Sequence, residues 1–244
     1  MILTVGLNPT FQKTLVFSEY IADTVNRAAE HRLDTAGKGI NVCRVLTQLG
    51  KDCIYLSQLG GSMRPLFLEM CAGDGIQIEW VESRSPIRFC YTVIDRNNSS
   101  VTELVEESQK VDEHTGERLL EALDRLLACG SGSSKITALI VSGSKAAGFN
   151  DNLLSEIVRR TRGKGIPVIL DIRGRDLLLC LPFEPDIIKP NLYEFASTFA
   201  ADLVSGNEIR VAGPEGIAAI KNRTAEICHE IQQKYRTKII LSRV

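Results

Sequence analysis

Residues 35–42 are the part of this sequence that most constrains the fold and the chemistry of the chain. They place two glycines, a lysine and an amide at the start of a predicted helix, in the order Thr-Ala-Gly-Lys-Gly-Ile-Asn-Val. Apolar residues follow at helical spacing, and Gly50 predicts the helix end. The first N–H groups of a helix have no partner within it, and the helix dipole favours negative charge. With the charge of Lys38, this start predicts a phosphate site.

A simpler interpretation of the same residues remains open, because a glycine turn before an amphipathic helix needs no ligand. The spacing matches neither Gly-x-x-x-x-Gly-Lys-Ser/Thr nor Gly-x-Gly-x-x-Gly, so neither standard nucleotide motif applies.

Charge and cysteine content limit the classes of partner. The 244 residues include 29 basic and 30 acidic side chains, for a net charge of -1, so no general attraction to nucleic acid or to an anionic membrane is expected. No apolar run reaches the length that a membrane-spanning helix needs. The seven cysteines are scattered and odd in number, which favours free thiols in the cytoplasm over a disulfide framework or a zinc site.

Short apolar runs alternate with amphipathic stretches along the chain, and this pattern predicts an α/β fold. We expect a single domain over residues 1–244, with a Rossmann-like parallel sheet covered by helices on both faces. In such sheets, ligands bind at the carboxyl ends of the strands. The predicted core strands are Ile2–Leu7, Ile54–Leu59, Ile76–Val81, Thr137–Val141, Pro167–Leu170, Ile187–Ile188 and Lys238–Leu241. The predicted helices are 40–49, Pro65–Ala72, Glu113–Leu127, Asn152–Thr161, Leu192–Ala200 and Ile217–Tyr235.

Two segments, at about residues 13–34 and 88–106, fit a small separate β-sheet better than the main sheet. They are rich in β-branched and aromatic residues with polar interruptions, and the second contains Asn97-Asn98 between two extended runs, which predicts a hairpin.

Four short motifs, in order, resemble the PfkB (ribokinase-like) carbohydrate kinases. They are Asn8-Pro9, residues 37–42, Ser142-Gly143-Ser144, and Lys189-Pro190-Asn191 with Glu194. The resemblance runs from Ile2 to about Leu241 and is strongest to the 1-phosphofructokinase and tagatose-6-phosphate kinase branch. It implies a Rossmann-like domain whose small β-sheet acts as a lid, and a homodimer formed through that lid.

The resemblance also implies roles for individual residues. Lys38 and Arg88 would hold the phosphate already on the sugar, with Ser142 nearby. Lys189 and Asn191 would bind the phosphates of ATP, and Glu194 would hold Mg²⁺ through water. The remaining residues implied to bind the substrate are Gln12, Gly37, Gly39 and Asn41. From the residues alone, Asn191 and Glu194 also fit a helix capping box, and Arg88 alone would be a solvated surface residue.

Three positions depart from the family pattern at the substrate end. Gln12 stands where the family has an aspartate that grips sugar hydroxyls, and an amide accepts hydrogen bonds less strongly than a carboxylate. The usual Arg-x-Asn-x-Lys reads Arg-Phe-Cys-Tyr-Thr over residues 88–92, and Ala36 replaces the first glycine of Gly-Gly-Lys-Gly.

The catalytic aspartate of the family belongs to a Gly-x-Gly-Asp motif that the resemblance places beyond Val244. We therefore expect a C-terminally incomplete domain whose base is not yet assigned. Gly73-Asp74-Gly75 is not a substitute, because these glycines fit the end of a helix and leave Asp74 exposed. Asp171 ends a predicted strand, where a carboxylate is more often a cap or network residue than a base.

Three functional hypotheses follow from the residues and the resemblance. The first is ATP- and Mg²⁺-dependent phosphorylation of a ketohexose phosphate such as fructose 1-phosphate or tagatose 6-phosphate, by in-line phosphoryl transfer. The second is a catalytically silent homologue that binds sugar phosphate. The third is a kinase for an unphosphorylated sugar or nucleoside, and the presence of Lys38 and Arg88 counts against it.

Overall fold

The alternating pattern produces a central parallel sheet of seven strands. The computed structural model describes residues 1–128, 135–206, 208–209 and 213–240, with elements numbered in chain order. The sheet strands are β1 (Ile2–Val5), β4 (Cys53–Leu59), β5 (Gln77–Glu82), β8 (Ala138–Ser142), β9 (Val168–Asp171), β10 (Ile187–Ile188) and β13 (Lys238–Ile239), in the order β13-β10-β9-β8-β1-β4-β5. All seven predicted core strands are confirmed, although the predicted end of the last, Leu241, lies outside the described residues.

A separate sheet of four strands is built from the two segments that the sequence set apart. Its strands are β2 (Thr10–Phe17), β3 (Glu30–Ala36), β6 (Arg88–Asp95) and β7 (Ser100–Val105), in the order β3-β2-β6-β7. Strands β2 and β6 pair in parallel, and the other two pairs are antiparallel, so the predicted β6–β7 hairpin is confirmed. Strand β2 begins at Thr10, before the predicted segment at about 13–34, and residues 18–29 of that segment are not strand.

Seven α-helices occur in the described residues, and six of them were predicted. They are α1 (Lys38–Gln48), α2 (Arg64–Gly73), α3 (Thr115–Ala128), α4 (Leu153–Arg162), α5 (Gly174–Cys180), α6 (Leu192–Phe199) and α7 (Gly213–Tyr235). Helix α5 was missed because its apolar residues form one run, 177–180, which has no helical period. A short hairpin of β11 (Val204–Ser205) and β12 (Glu208–Ile209) was also not predicted.

The chain divides into two compact units. The first comprises residues 1–5, 123–144 and 150–244, and the second comprises residues 6–122 and 145–149. In the first, apolar side chains of adjacent strands are fully buried, as in β8 (Leu139) and β9 (Val168 and Leu170). In the second, Phe11 packs edge-on against Phe67 and stacks on Phe89, with ring centroids 5.4 and 5.2 Å apart. Each unit therefore has its own apolar core.

The buried face of α1 differs from the face that the apolar pattern suggested. Gly39, Ile40 and Cys43 are buried, whereas Val45 and Leu49 are 53% and 68% exposed. Glycine and cysteine carry little weight in a search for apolar periodicity, so the pattern located the helix but misplaced its core-facing side.

The structure also bears on two predictions from composition, those on membrane-spanning helices and on the state of the cysteines. No helix among the described residues combines the length and apolar character needed to cross a bilayer. The six described cysteines, Cys43, Cys53, Cys71, Cys90, Cys180 and Cys228, are free thiols, and Cys129 lies outside the described residues. Burial raises the pKa of the Cys71 thiol to about 11, so this thiol is protonated at neutral pH.

Candidate active site

Helix α1 begins at Lys38, as the sequence predicts, and its start is shaped by Gly37. The backbone of Gly37 has φ 116°, which side chains other than glycine rarely adopt. The first helical hydrogen bond runs from Asn41 N–H to the Gly37 carbonyl oxygen, at 3.1 Å. Within the described residues, no side chain caps this end of α1, and its first turn has no acidic residue. No acidic residue of this first turn offsets the positive end of the helix dipole, and the exposed Lys38 adds positive charge at the same end.

Gly39 has a role in packing that the sequence did not reveal. A Cβ atom at this position would lie 2.9 Å from Gly6 Cα and 3.1 Å from Tyr55 Cε2. Gly6 is itself held in place, because its carbonyl oxygen accepts hydrogen bonds from the hydroxyls of Tyr55 (3.0 Å) and Ser57 (2.7 Å). The family resemblance implied only that Gly39 binds the substrate. The structure shows that close approach of backbone to backbone also requires it.

The register of the four-stranded sheet relates Arg88 to the start of α1. Thr10 of β2 pairs with Ala36 of β3 on one side and with Arg88 of β6 on the other. Since neighbouring strands lie about 4.8 Å apart, the Cα atoms of Ala36 and Arg88 are roughly 10 Å apart across this end of the sheet. Ala36 is followed by Gly37 and then by Lys38. The resemblance implied that Lys38 and Arg88 bind one phosphate. Arg88 and the residue two positions before Lys38 lie at the same end of the small sheet.

The guanidinium of Arg88 has an unsatisfied donor. Its Nη1 donates to the Glu106 carbonyl oxygen at 2.7 Å, while Nε is buried and has no partner among the described residues. A buried N–H group without a partner costs free energy, and an oxyanion would satisfy it. The half-buried position of Arg88 also differs from the solvated surface position expected of an arginine without a ligand.

The positions that depart from the family pattern interact with one another. Gln12 of β2 lies opposite Cys90 of β6, and its amide nitrogen donates to the Thr92 hydroxyl at 2.6 Å. The amide hydrogen is thus directed at a protein group, so the Gln12 carbonyl oxygen is the acceptor that remains for a ligand hydroxyl. Cys90 is buried and its thiol accepts a hydrogen bond from Thr10 Oγ1 at 3.3 Å.

Arg44 is a residue of this region that the sequence analysis missed. Its Nη1 donates to Asn41 Oδ1 at 2.7 Å, and its Nη2 donates to the Thr35 carbonyl oxygen at 2.7 Å and the Thr35 hydroxyl at 2.9 Å. Asp74 accepts from Arg44 Nε at 3.0 Å and from Nη2 at 2.9 Å. Asp74 follows the last residue of α2, Gly73, so the helix-end interpretation is confirmed, but the carboxylate has a partner. Only the spacing of Arg44 and Asn41, three residues apart on a helix, could have suggested this contact.

A second cluster lies in the other unit, at the carboxyl ends of β8, β9 and β10. Ser142 ends β8 and donates its hydroxyl to Asp171 Oδ2 at 2.8 Å, and Lys189 Nζ lies 3.6 Å from Asp171 Oδ1. Ser142 is 2% exposed, whereas the Lys189 side chain is 45% exposed. Asp171 therefore connects the other two residues, in agreement with its interpretation as a network residue.

The start of α6 follows the same strand end. Asn191 Oδ1 accepts from the Glu194 backbone N–H at 2.7 Å, and Glu194 Oε2 accepts from the Asn191 backbone N–H at 3.0 Å. This reciprocal pair is a capping box, which confirms that alternative for the two residues. Their roles toward ATP and Mg²⁺ remain predictions.

Comparison with known protein families matches residues 10–241 to the pfkB family carbohydrate kinases. This chain belongs to that family. Two structures of phosphofructokinase-2 from Escherichia coli, one in complex with fructose-6-phosphate and one of a tetrameric inhibited form, each match at 20% identity and TM-score 0.78, over 99% of this chain and 73% of theirs. A possible 1-phosphofructokinase from Thermotoga maritima matches at 22% identity and TM-score 0.80, over 99% of this chain and 71% of its own. These likenesses establish the ribokinase-like α/β fold.

The pfkB family implies the use of ATP, generally with a divalent metal ion, and the strand-end cluster contains the residues that the resemblance assigns to them. Lys189 and the N-terminus of α6 offer a cation and a positive helix end, which fit the phosphates of ATP. Among the described residues, no group of three or more His, Cys, Asp or Glu side chains could hold a metal ion. Mg²⁺ at kinase sites keeps several waters and binds substrate phosphates, so a single carboxylate fits it. Glu194 is 7% exposed and shares its carboxylate with the capping box, so it suits contact with Mg²⁺ through water only.

Proposed function

We propose that the protein phosphorylates a ketohexose phosphate, of the fructose 1-phosphate or tagatose 6-phosphate type, with ATP as phosphoryl donor and Mg²⁺ as its metal ion. The observation that carries this proposal is the strand register, which puts Arg88 and Ala36 on either side of Thr10, with Lys38 two residues after Ala36 at the start of α1. Two cations and a positive helix end at one site suit a dianionic group on the substrate. An unphosphorylated sugar or nucleoside carries no dianionic group for these two cations to bind.

The roles proposed for the residues follow from phosphoryl-transfer chemistry. This reaction needs charge neutralisation and alignment more than covalent help from the protein. Lys38 and Arg88 would hold the phosphate of the acceptor, while Gln12, Gly39 and Asn41 would line its sugar. Lys189, held by Asp171, would contact the transferred phosphate. When bound, Mg²⁺ would neutralise charge on the phosphates of ATP. Asn191 would bind the phosphates of ATP, and Glu194 would contact Mg²⁺ through water.

The test is an assay of ATP consumption, coupled to NADH oxidation, on protein expressed from its complete coding region. The acceptors are fructose 1-phosphate, tagatose 6-phosphate, fructose 6-phosphate, free fructose and a nucleoside. We expect turnover with a ketohexose phosphate that depends on Mg²⁺ and is absent with free fructose. Turnover with the unphosphorylated acceptors alone would contradict the proposal.

A second candidate function is binding of a sugar phosphate without turnover. The hydrogen bond between Gln12 and Thr92 favours it, because the amide of Gln12 is partly engaged by the protein where the family has a free carboxylate. The same panel separates the two functions. Calorimetric binding of a ketohexose phosphate together with no consumption of ATP would support the binding protein, and turnover would exclude it.

We also propose that a second copy of the chain docks on β7, the edge strand of the four-stranded sheet. All six residues of β7 are exposed, and three of them are apolar: Val101 (63%), Leu104 (53%) and Val105 (52%). An exposed edge strand with apolar side chains is a template for pairing with another chain. Covering it with an identical strand would satisfy the unpaired backbone groups.

The double variant V101E/V105E should shift the protein from dimer to monomer, because it places two like charges on one face of β7. Light scattering after gel filtration measures the mass. Leu178→Glu is the matched control, since Leu178 is 46% exposed and lies on α5 in the other unit. A wild-type protein that is monomeric, or a double variant that remains dimeric, would refute the role of β7.

A further inference from the structure

The side-chain amide of Asn41 is held in one orientation by Arg44. A guanidinium carries only donors, so the Asn41 atom 2.7 Å from Arg44 Nη1 must be the carbonyl oxygen. The NH₂ group of Asn41 then has no partner among the described residues, and the residue is exposed. Asn41 lies in the first turn and a half of α1, beside the proposed phosphate site. Its free edge is therefore a hydrogen-bond donor.

Arg44 is itself held on several sides. It donates to the carbonyl oxygen and hydroxyl of Thr35, the residue two before Gly37, and to the carboxylate of Asp74. Asp74 comes from the end of another helix, thirty residues along the chain. Thr35 is 1% exposed and Arg44 is half-buried, so this end of the network is shielded from water. A guanidinium with this many fixed partners has little freedom to rotate away from Asn41.

We propose that Arg44 is a positioning residue, which presents the NH₂ group of Asn41 to an acceptor oxygen of the substrate and is itself held by Asp74. The inference rests on the proposed function for the identity of the substrate, but the orientation of Asn41 is a property of the ligand-free protein. With Asn41 held in this orientation, the site would favour substrates that place an acceptor oxygen opposite the Asn41 NH₂ group. An amide free to rotate would offer its oxygen and its NH₂ group about equally.

The first experiment uses the ligand-free protein, labelled with ¹⁵N asparagine. The Asn41 side-chain signals are identified by their absence in Asn41→Ala. In the wild type, the two NH₂ protons should show a fixed environment, and Arg44→Met should move their shifts. Arg44→Lys, which reaches fewer of the acceptors, should give an intermediate result. Arg64→Met is the matched control, because Arg64 also pairs with a carboxylate, that of Glu82, at 2.9 Å. Asn41 signals that are the same in wild type and Arg44→Met would overturn the proposal.

The second experiment measures ketohexose phosphate affinity by calorimetry. Arg44→Met and Asn41→Ala should each weaken binding about tenfold, the value of one hydrogen bond. The double variant should be no weaker than the more affected single variant, because both remove the same interaction. Asp74→Asn should lie between wild type and Arg44→Met. Losses that add in the double variant would overturn the proposal, since Arg44 would then act independently of Asn41.

The two experiments separate this inference from the function on which it rests. If the wild type binds no sugar phosphate, the proposed function fails and the substrate part of the inference fails with it. The NMR result still decides whether Arg44 orients Asn41. If sugar phosphate binds and turns over while Arg44→Met has no effect on either readout, the function stands and the positioning role is refuted.

Discussion

Replacing Lys38 with methionine should weaken the binding of a ketohexose phosphate about tenfold to hundredfold, which corresponds to the loss of one hydrogen bond to a charged group. The reason is that Lys38 supplies a full positive charge at a helix start with no capping side chain and no acidic residue in its first turn. Arg88→Met should have a similar effect, because it removes the buried Nε–H donor that we propose the phosphate satisfies. Methionine keeps much of the length of either side chain and removes the charge.

The double variant K38M/R88M should lose more than either single variant, because two separate charges on one phosphate are removed. Affinity for free fructose, which we expect to be weak in the wild type, should not change in any of the three. Lys51→Met is the matched control, since Lys51 is exposed and lies just beyond the other end of α1. Calorimetric titration gives all these values. Equal losses for Lys38→Met and Lys51→Met would show that net charge, and not a phosphate site, governs binding.

Gly39→Ala should lower the free energy of unfolding by about 1–3 kcal/mol, the usual cost of forcing an extra group into a packed core. The added Cβ would lie 2.9 Å from Gly6 Cα and 3.2 Å from Gly6 N, which are backbone atoms with little room to move. Tyr55 and Ser57 also hold Gly6 in place through hydrogen bonds to its carbonyl oxygen. The variant must therefore displace α1 from the turn after β1, and sugar-phosphate binding should fall together with stability.

Urea unfolding followed by circular dichroism measures the change in stability. Gly73→Ala is the matched control: a Cβ at Gly73 meets no atom within 4 Å, and the residue is the last of α2. This substitution should be neutral or should stabilise the protein slightly, because alanine has the higher helix propensity. If Gly39→Ala were as stable as the wild type while binding was lost, the glycine would serve the ligand and not the packing.

The helices and core strands could be predicted because their signals are local. The period of the apolar residues identified α3, α4 and α6, and a glycine marked the end of α2. The capping box of α6 also follows from residues three positions apart. The signals failed where apolar residues came as an unbroken run, as in α5, and where the core-facing residues of α1 were small.

The candidate site was predicted only in part, because much of its geometry depends on contacts between residues that are far apart in the sequence. Resemblance to a family brought Lys38 and Arg88 together, but the reason they are near each other is that β2 pairs with both β3 and β6. No local pattern indicates that Gln12 donates to Thr92, eighty residues away. The same is true of the contacts among Ser142 at the end of β8, Asp171 at the end of β9, and Lys189, which follows β10.

The sequence by itself determined the fold class, the strand and helix order, and a helix that begins with glycine and lysine, since each of these depends on residues within a few positions of one another. Only the tertiary structure decided what surrounds that helix: Gly6 against Gly39, Arg88 across two strands from Ala36, and Asp74 beside Arg44. Contacts of this kind depend on strand register and helix packing. Both are set by burial of the whole core, which no short segment of the sequence can predict.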